Sequence, residues 1–275
     1  MIIMSSNQWK CDHNAPDWAA RGEDCSAECR VNGLVHAYQS VNPDVLGIQE
    51  ASVRMTQLLV QRMPDYELIT GGDTPILYRP DRLSLIESGF FRYSESIPEF
   101  EGSFNNSGTK SYAFAVFEEK SSARRFAFMT THLWWKSSNP ESKDYQPHSD
   151  EARAYQIQLA LRRLEALMQQ YDCPGVLVGD LNANLESPCL KAARTLGWTD
   201  AHDSAAGKRD DTRGHHPCYA WGYERGDAGV FAQAIDHILI RAGEGFKVGD
   251  YLRVNHPFFD CISDHYPVYT TLEFA

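Results

Sequence analysis

The sequence has no CxxC pair, no apolar run long enough to span a membrane and no dense block of basic residues. Each absence removes a class of protein. An odd total of seven cysteines in a chain of 275 residues argues against a disulfide framework, and the missing CxxC argues against a zinc ribbon. Cys25 and Cys29 stand at helical i, i+4 spacing, yet free thiols are the expected state. The basic residues Lys208, Arg209 and Arg213 are too sparse for a nucleic-acid patch and read as a solvated loop. At a formal charge of −11 the chain is not drawn to phosphate backbones in general, so stable binding of duplex DNA is not expected. The opening MIIM is too short for the apolar core of a secretory signal. The chain as it stands is expected in the cytoplasm, or secreted or periplasmic had a signal peptide been removed. Internal repeats, low-complexity tracts and Gly/Ser linkers are missing too, so one domain over residues 1–275 is expected.

What is present is the makings of a packed core: 43% hydrophobic and 23% charged residues. Strands are predicted over 2–6, 45–49, 76–78, 112–117, 126–131, 176–178, 235–240 and 266–272. The run at 176–178 is continuously apolar, as in a strand covered on both faces. Helices are predicted over 52–63, 150–170 and 187–196. The second carries Ile157, Leu161, Leu164 and Met168 on one face, and Pro188 suits the first turn of the third.

Polar residues punctuate these strands. Glu50 follows VLGIQ, His132 follows FAFMTT, and Asp180 closes GVLVG with Asn182 two residues on. Asp236 opens IDHILI, while Asp264 and His265 precede YPVYTTL. If these residues meet, three strands run into one place and two run away from it, which demands mixed or antiparallel sheets. Two sheets packed together with helices outside, a four-layer α/β sandwich, satisfies this and covers apolar strands on both faces. The turn of the hairpin at 112–131 centres near Ser122. Tyr112 and His132 each lie ten residues from it and are therefore expected to face each other.

Asn7, Glu50, His132, Asp180, Asn182, Asp236, Asp264 and His265 form an oxygen-rich set with no activated Ser or Cys. Such donors suit Mg²⁺ or Mn²⁺ better than zinc. They also supply the parts for phosphate-ester hydrolysis: a carboxylate to take a proton from water, and imidazoles and amides to donate to the charge growing on phosphoryl oxygens.

The motifs DVLGIQE (44–50), TTHLWW (130–135), GDLNAN (179–184), AIDHILI (234–240) and SDHYPV (263–268), in this order, resemble those of the endonuclease/exonuclease/phosphatase superfamily, the DNase I-like metal-dependent phosphohydrolases. The resemblance implies that Glu50 is the principal metal ligand, helped by Asn7 and by Asp264. It implies that Asp180 orients or deprotonates the attacking water beside Asn182, that His132 and His265 bind the scissile phosphate, and that Asp236 orients His265. Whether Asp180 or His265 is the formal base stays open. Ala234 and His237 depart from the Arg and Tyr common at those positions. His237 alternates to the strand face opposite Asp236 and is read as non-catalytic.

Residues 75–98, with Glu151, Ala152, Arg153 and Gln156, resemble a bacterial branch related to deadenylase and nocturnin-type hydrolases. The acidic net charge favours as substrate a small or short single-stranded phosphorylated molecule, monoester or diester, over long duplex DNA. The alternatives are a single-strand nuclease and an inactive binding module of the same fold. Trp134, Trp135 and Trp221 are candidates to stack on a base or sugar or else to pack beneath their loops, and Tyr112 is a candidate for the site or for the core.

Overall fold

The computed structural model describes residues 1–10, 24–208, 234–241, 243–254 and 262–275. Trp221 and the basic residues Arg209 and Arg213 lie outside them. In chain order the elements are β1 (Ile2–Asn7), α1 (Ala27–Val41), β2 (Val45–Gln49), α2 (Val53–Arg62), β3 (Glu67–Ile69), β4 (Ile76–Tyr78), β5 (Leu83–Arg92), β6 (Ser111–Glu119) and β7 (Arg124–His132). There follow α3 (Ser149–Tyr171), β8 (Gly175–Asp180), α4 (Pro188–Thr195), β9 (Trp198–Asp200), α5 (Ala201–Ser204), β10 (Gly207–Lys208), β11 (Asp236–Arg241), β12 (Phe246–Arg253) and β13 (Val268–Phe274).

Two mixed sheets pack face to face. Among the described residues one has seven strands in the order β10-β12-β13-β1-β2-β4-β3, and the other six in the order β5-β6-β7-β8-β11-β9. The central layer holds Ile3, Val45 and Val268 from the first sheet against Phe117, Phe128 and Val178 from the second. Helices α1 and α2 cover the outer face of the seven-stranded sheet through Leu34, Tyr38 and Leu58. Helices α3 and α4 cover the six-stranded sheet through Ile157, Leu161, Leu164 and Leu190. The result is the four-layer α/β sandwich. Every residue of β8 is buried, as its unbroken apolar run implies.

The helices start where their side chains supply caps. Ser52 accepts from the backbone of Met55 at the head of α2, and Ser187 accepts from Leu190 with Pro188 in the first turn of α4. None of the described helices is long and apolar enough to cross a membrane. Cys25, Cys29, Cys173 and Cys189 are free thiols.

One expectation of register fails. Ser111, not Tyr112, pairs with His132, and Tyr112 pairs with Thr131. The last pair of the hairpin is Glu119 with Arg124, so the turn is centred between two residues rather than on Ser122. A slip of one residue moves a side chain to the other face. Tyr112 accordingly packs outward, stacked on Phe91 with ring centroids 5.3 Å apart and edge-on to Tyr93 at 5.7 Å.

The two sheets come close together where β2 crosses β7 and β8, at one end of the sandwich. A Cβ on Gly47 would lie 2.4 Å from Val178 Cγ2 and 2.8 Å from Thr130 Cβ, so glycine lets β2 press against β7 and β8. Polar groups bridge the layers beside it. Gln49 donates across to Thr130 Oγ1 (2.9 Å) and is held within its own sheet by Ser5, which donates to Gln49 Oε1 (3.3 Å).

Candidate active site

That end of the sandwich gathers the polar strand termini. Parallel pairing of β7 with β8 sets His132 beside Asp180, and antiparallel pairing of β8 with β11 sets Asp180 beside Asp236. Three candidate side chains thus stand in one row across the six-stranded sheet. From the facing sheet, parallel β1 and β2 end together with Asn7 beside Gln49, and Glu50 follows. Asn7 Nδ2 donates to Asp180 Oδ2 at 2.9 Å, bridging the two sheets. Ser263 donates to the Asn7 carbonyl (2.7 Å) and accepts from the His265 amide (3.2 Å), which fixes the turn that carries Asp264 and His265.

The groups converge. Ligand atoms of Glu50, His132 and Asp180 lie within 4.8 Å of one another, as do those of Asp180, Asp236 and His265. His132 Nε2 is 3.7 Å from Glu50 Oε1 and 3.5 Å from Asp180 Oδ2. His265 Nδ1 bonds Asp236 Oδ2 at 2.7 Å, while its Nε2 lies 3.8 Å from Asp180 and 3.9 Å from Asp264. Asn182 reaches Asp180 through its backbone, donating to Oδ1 at 2.8 Å, and its side chain donates to the Leu133 carbonyl at 3.2 Å. Glu50 (φ 55°) and Asn182 (φ 48°) both adopt left-handed backbone, a cost that the surrounding bonds hold in place.

The electrostatics follow from crowding like and unlike charges in a buried place. Burial alone would raise Asp180, but His265, His132, Lys110 and the Asn182 amide bring it down to about 2. Burial likewise opposes the charged form of Glu50, yet His132, Lys110 and the Lys10 amide hold it below the usual range. Asp264 moves the other way, to about 7, through burial and the neighbouring carboxylates of Glu50 and Asp180. His132 is pushed down to about 4 by burial and by Lys110. His265 stays protonated well above its ordinary value, because Asp236, Asp264 and Asp180 outweigh its burial.

These donors fit a hard divalent cation. The carboxylate oxygen Oδ1 of Asp264 is buried without a hydrogen-bond partner, an expensive arrangement that a bound cation would relieve. Its neighbours are the carboxylates of Glu50 and Asp180 and, at 3.9 Å, the His265 imidazole, an oxygen-rich surround that suits a hard divalent cation.

Sequence reasoning missed Lys110. Its ammonium is almost wholly buried and lies 2.6 Å from His132 Nε2 and 3.2 Å from Nδ1. Burial lowers it to about 8. It is therefore charged at neutral pH and donates to a neutral His132. The one available signal was a lysine directly before an otherwise apolar strand, facing the histidine motif across the hairpin. Lys10 is a second cation: its amide donates to Glu50 Oε2 (2.9 Å) and its ammonium bonds Asp73 (2.7 Å). With Lys110, His132 and Trp135 these residues line a cavity of about 230 Å³.

The tryptophans separate. Trp134 is fully buried against Phe104 and Ala152. Trp135 is 46% exposed and stands between the 230 Å³ cavity and a second of about 560 Å³ that reaches Asn182 and Asn184. Arg153 and Gln156, conspicuous in the sequence, grip this loop from α3. Arg153 donates to the carbonyls of Trp134 (3.1 Å) and Lys136 (2.7 Å), and Gln156 accepts from the Trp134 amide (2.9 Å). Tyr112 lies on the outer face of its strand and is not part of this cluster.

A family model described as the endonuclease/exonuclease/phosphatase family matches residues 5–265. No curated protein matches the sequence. Solved structures share the fold. An endonuclease/exonuclease/phosphatase family protein from Bacteroides thetaiotaomicron aligns with TM-score 0.78 at 20% identity, over 99% of this chain and 94% of that one. A mannosyl-6-phosphatase from the same organism aligns with TM-score 0.75 at 20% identity over 100% of both chains. The human Nocturnin catalytic domain, with a bound sulfate, aligns with TM-score 0.70 at 18% identity over 100% of this chain and 94% of that one.

Proposed function

Because the chain belongs to the endonuclease/exonuclease/phosphatase family, we propose that it hydrolyses a phosphoric ester with the help of a divalent cation, by direct attack of water and without a covalent intermediate. The observation that carries this reading is the meeting of Glu50, His132 and Asp180 within 4.8 Å at the mouth of the sandwich. Glu50 and Asp264, with Asn7, would hold Mg²⁺ or Mn²⁺, which when bound supplies charge that polarises the phosphoryl oxygen and steadies the leaving oxygen.

The chain's own residues do the rest. Asp180, held by Asn7 and the Asn182 amide, orients the attacking water and accepts its proton. His265, kept cationic and aimed by Asp236, donates to a phosphoryl oxygen. Lys110, whose ammonium donates to Nε2 of the neutral His132, brings a second positive charge to the same group, and His132 fixes it there. Asn182 holds its loop against Leu133. In the lining of the 230 Å³ cavity Lys10 and Lys110 balance Glu50 and Asp73, whereas the chain as a whole carries a net charge of −11. That contrast favours a compact phosphorylated group over a long duplex backbone. Trp135, exposed at the rim, is placed to meet the remainder of the substrate.

The test is turnover of a generic aryl phosphodiester and of its monoester in Mg²⁺, in Mn²⁺ and in a chelator. Cation-dependent turnover that disappears in Glu50→Ala and His265→Ala is the expected result. Equal rates in all three proteins would end the enzymatic reading.

A further inference from the structure

His237 stands where the sequence departs from the family pattern, on the face of β11 turned away from Asp236. It is fully buried, and both ring nitrogens are engaged. Nδ1 lies 2.5 Å from Asp200 Oδ2, and Nε2 lies 2.8 Å from the carbonyl oxygen of Ala183. With Asp200 ionised both partners are acceptors, and both ring nitrogens then carry protons, which makes the side chain an imidazolium. Asp200 balances its charge and also caps α5 by accepting from the His202 amide at 2.8 Å. Burial would strip the proton, but the bond and charge of Asp200 outweigh it and raise the affinity for the proton above the ordinary value.

Ala183 belongs to the segment that follows Asp180. That segment is tied in front by the Asn182 amide to Asp180 (2.8 Å) and by the Asn182 side chain to Leu133 (3.2 Å). The Leu181 amide donates to the Ile235 carbonyl at 2.8 Å. From behind, His237 holds it at Ala183, and farther along Arg194 donates to the Leu185 carbonyl at 2.6 Å. Asn182 sits in left-handed backbone at φ 48°, a conformation that needs such bracing.

We infer that His237, ion-paired to Asp200, is a positioning residue: its bond to the Ala183 carbonyl holds Asp180 and Asn182 in the geometry that the reaction requires. The inference rests on the roles of Asp180 and Asn182 given above. Displacement of a reacting group by about 1 Å is enough to cost about 100-fold in rate, so a bond behind the loop has leverage on chemistry in front of it.

Two isosteric variants separate positioning from packing. His237→Asn keeps a donor toward Asp200 but no longer reaches Ala183. His237→Gln carries its amide nitrogen to the place of Nε2 and restores the Ala183 bond. In His237→Asn, kcat is expected to fall about 10- to 100-fold with KM within about threefold. His237→Gln is expected to keep at least about a third of the wild-type kcat, restoring the lost bond. In metal-free protein, amide hydrogen exchange should speed up at residues 180–184 in His237→Asn while the rest of the six-stranded sheet stays protected. A wild-type kcat in His237→Asn, or equal losses in both variants with protection lost throughout the sheet, overturns the inference. Histidine-labelled wild-type protein gives a readout independent of any variant's folding: two ring N–H protons on His237 at neutral pH are expected, and a single one overturns the inference. If Glu50→Ala leaves turnover untouched, the enzymatic reading fails, whereas the exchange and ring-proton readouts still test the bracing itself.

Discussion

Two histidine–aspartate pairs stand back to back on β11. Asp236 and His237 are consecutive, so their side chains point to opposite faces of one strand. Inside the sandwich, Asp236 holds His265 Nδ1 at 2.7 Å; outside, His237 holds Asp200 at 2.5 Å. Both imidazoles are buried, and in both the paired aspartate raises the affinity for the proton above its ordinary value. They differ in what the far nitrogen meets. In the outer pair it bonds a backbone carbonyl at 2.8 Å. In the inner pair it faces the carboxylates of Asp180 and Asp264 at 3.8 and 3.9 Å, across the site. The same chemical unit is a brace where its second nitrogen is committed to the backbone, and a candidate catalyst where that nitrogen borders the reacting groups.

The same distinction sorts the other paired residue types, and it can be broken or sharpened by substitution. The largest effect is expected from the inner pair. His265→Ala should lower kcat by about 1,000-fold or more, since it removes a charged donor to the transition state. Asp236→Asn should lower it less, with the pH profile displaced because the imidazole loses the charge that keeps it protonated.

Next comes the contrast between neighbouring tryptophans. Trp134→Ala empties a fully buried site under the loop and should destabilise the fold by about 3–5 kcal/mol in chemical denaturation. Trp135→Ala should leave stability within about 0.5 kcal/mol and alter KM instead.

Asp264 tests the site's charge balance with a definite sign. Its carboxyl titrates at about 7 in the fold against 3.8 ordinarily. Between these values the folded chain keeps a proton that the unfolded chain has released. The stability that this group contributes is thus complete below 3.8 and is lost as pH rises through about 7. Asp264→Asn should therefore stabilise the metal-free protein at pH 8 by about 1–2 kcal/mol, allowing for partial solvent access, or roughly 3–5 °C in Tm, and do little at pH 4. In Mg²⁺ or Mn²⁺ the ranking should reverse, with the wild type gaining stability and the variant gaining none. A variant that responds to the cation as the wild type does would remove Asp264 from the ligand set. The smallest effect is expected from Tyr112→Phe, whose ring packs on the outer face: kcat within about twofold.

Much of this was legible in the sequence because strands announce their ends. Apolar runs that stop at Glu50, His132 and Asp180, and others that start after Asp236 and His265, dictate which termini meet, and the mixed sheets follow from their directions. Hairpin register was not legible to the residue. A turn centred between two residues differs by one from a turn centred on Ser122, and that single step carries Tyr112 from the site to the outer face. β5 was missed because its side chains are largely exposed and do not alternate cleanly. Lys110 and the His237 brace were missed because nothing local marks them. A lysine before a strand and a histidine within one acquire meaning only when a distant segment, the His132 strand or the Ala183 loop, is folded against them.

The most direct measurement is anomalous diffraction from crystals grown with Mn²⁺ and phosphate. The account predicts Mn²⁺ bounded by Glu50 and Asp264, with the phosphate between it and the two imidazoles of His132 and His265. Manganese bound elsewhere, with Asp264 Oδ1 still lacking a partner, would contradict it.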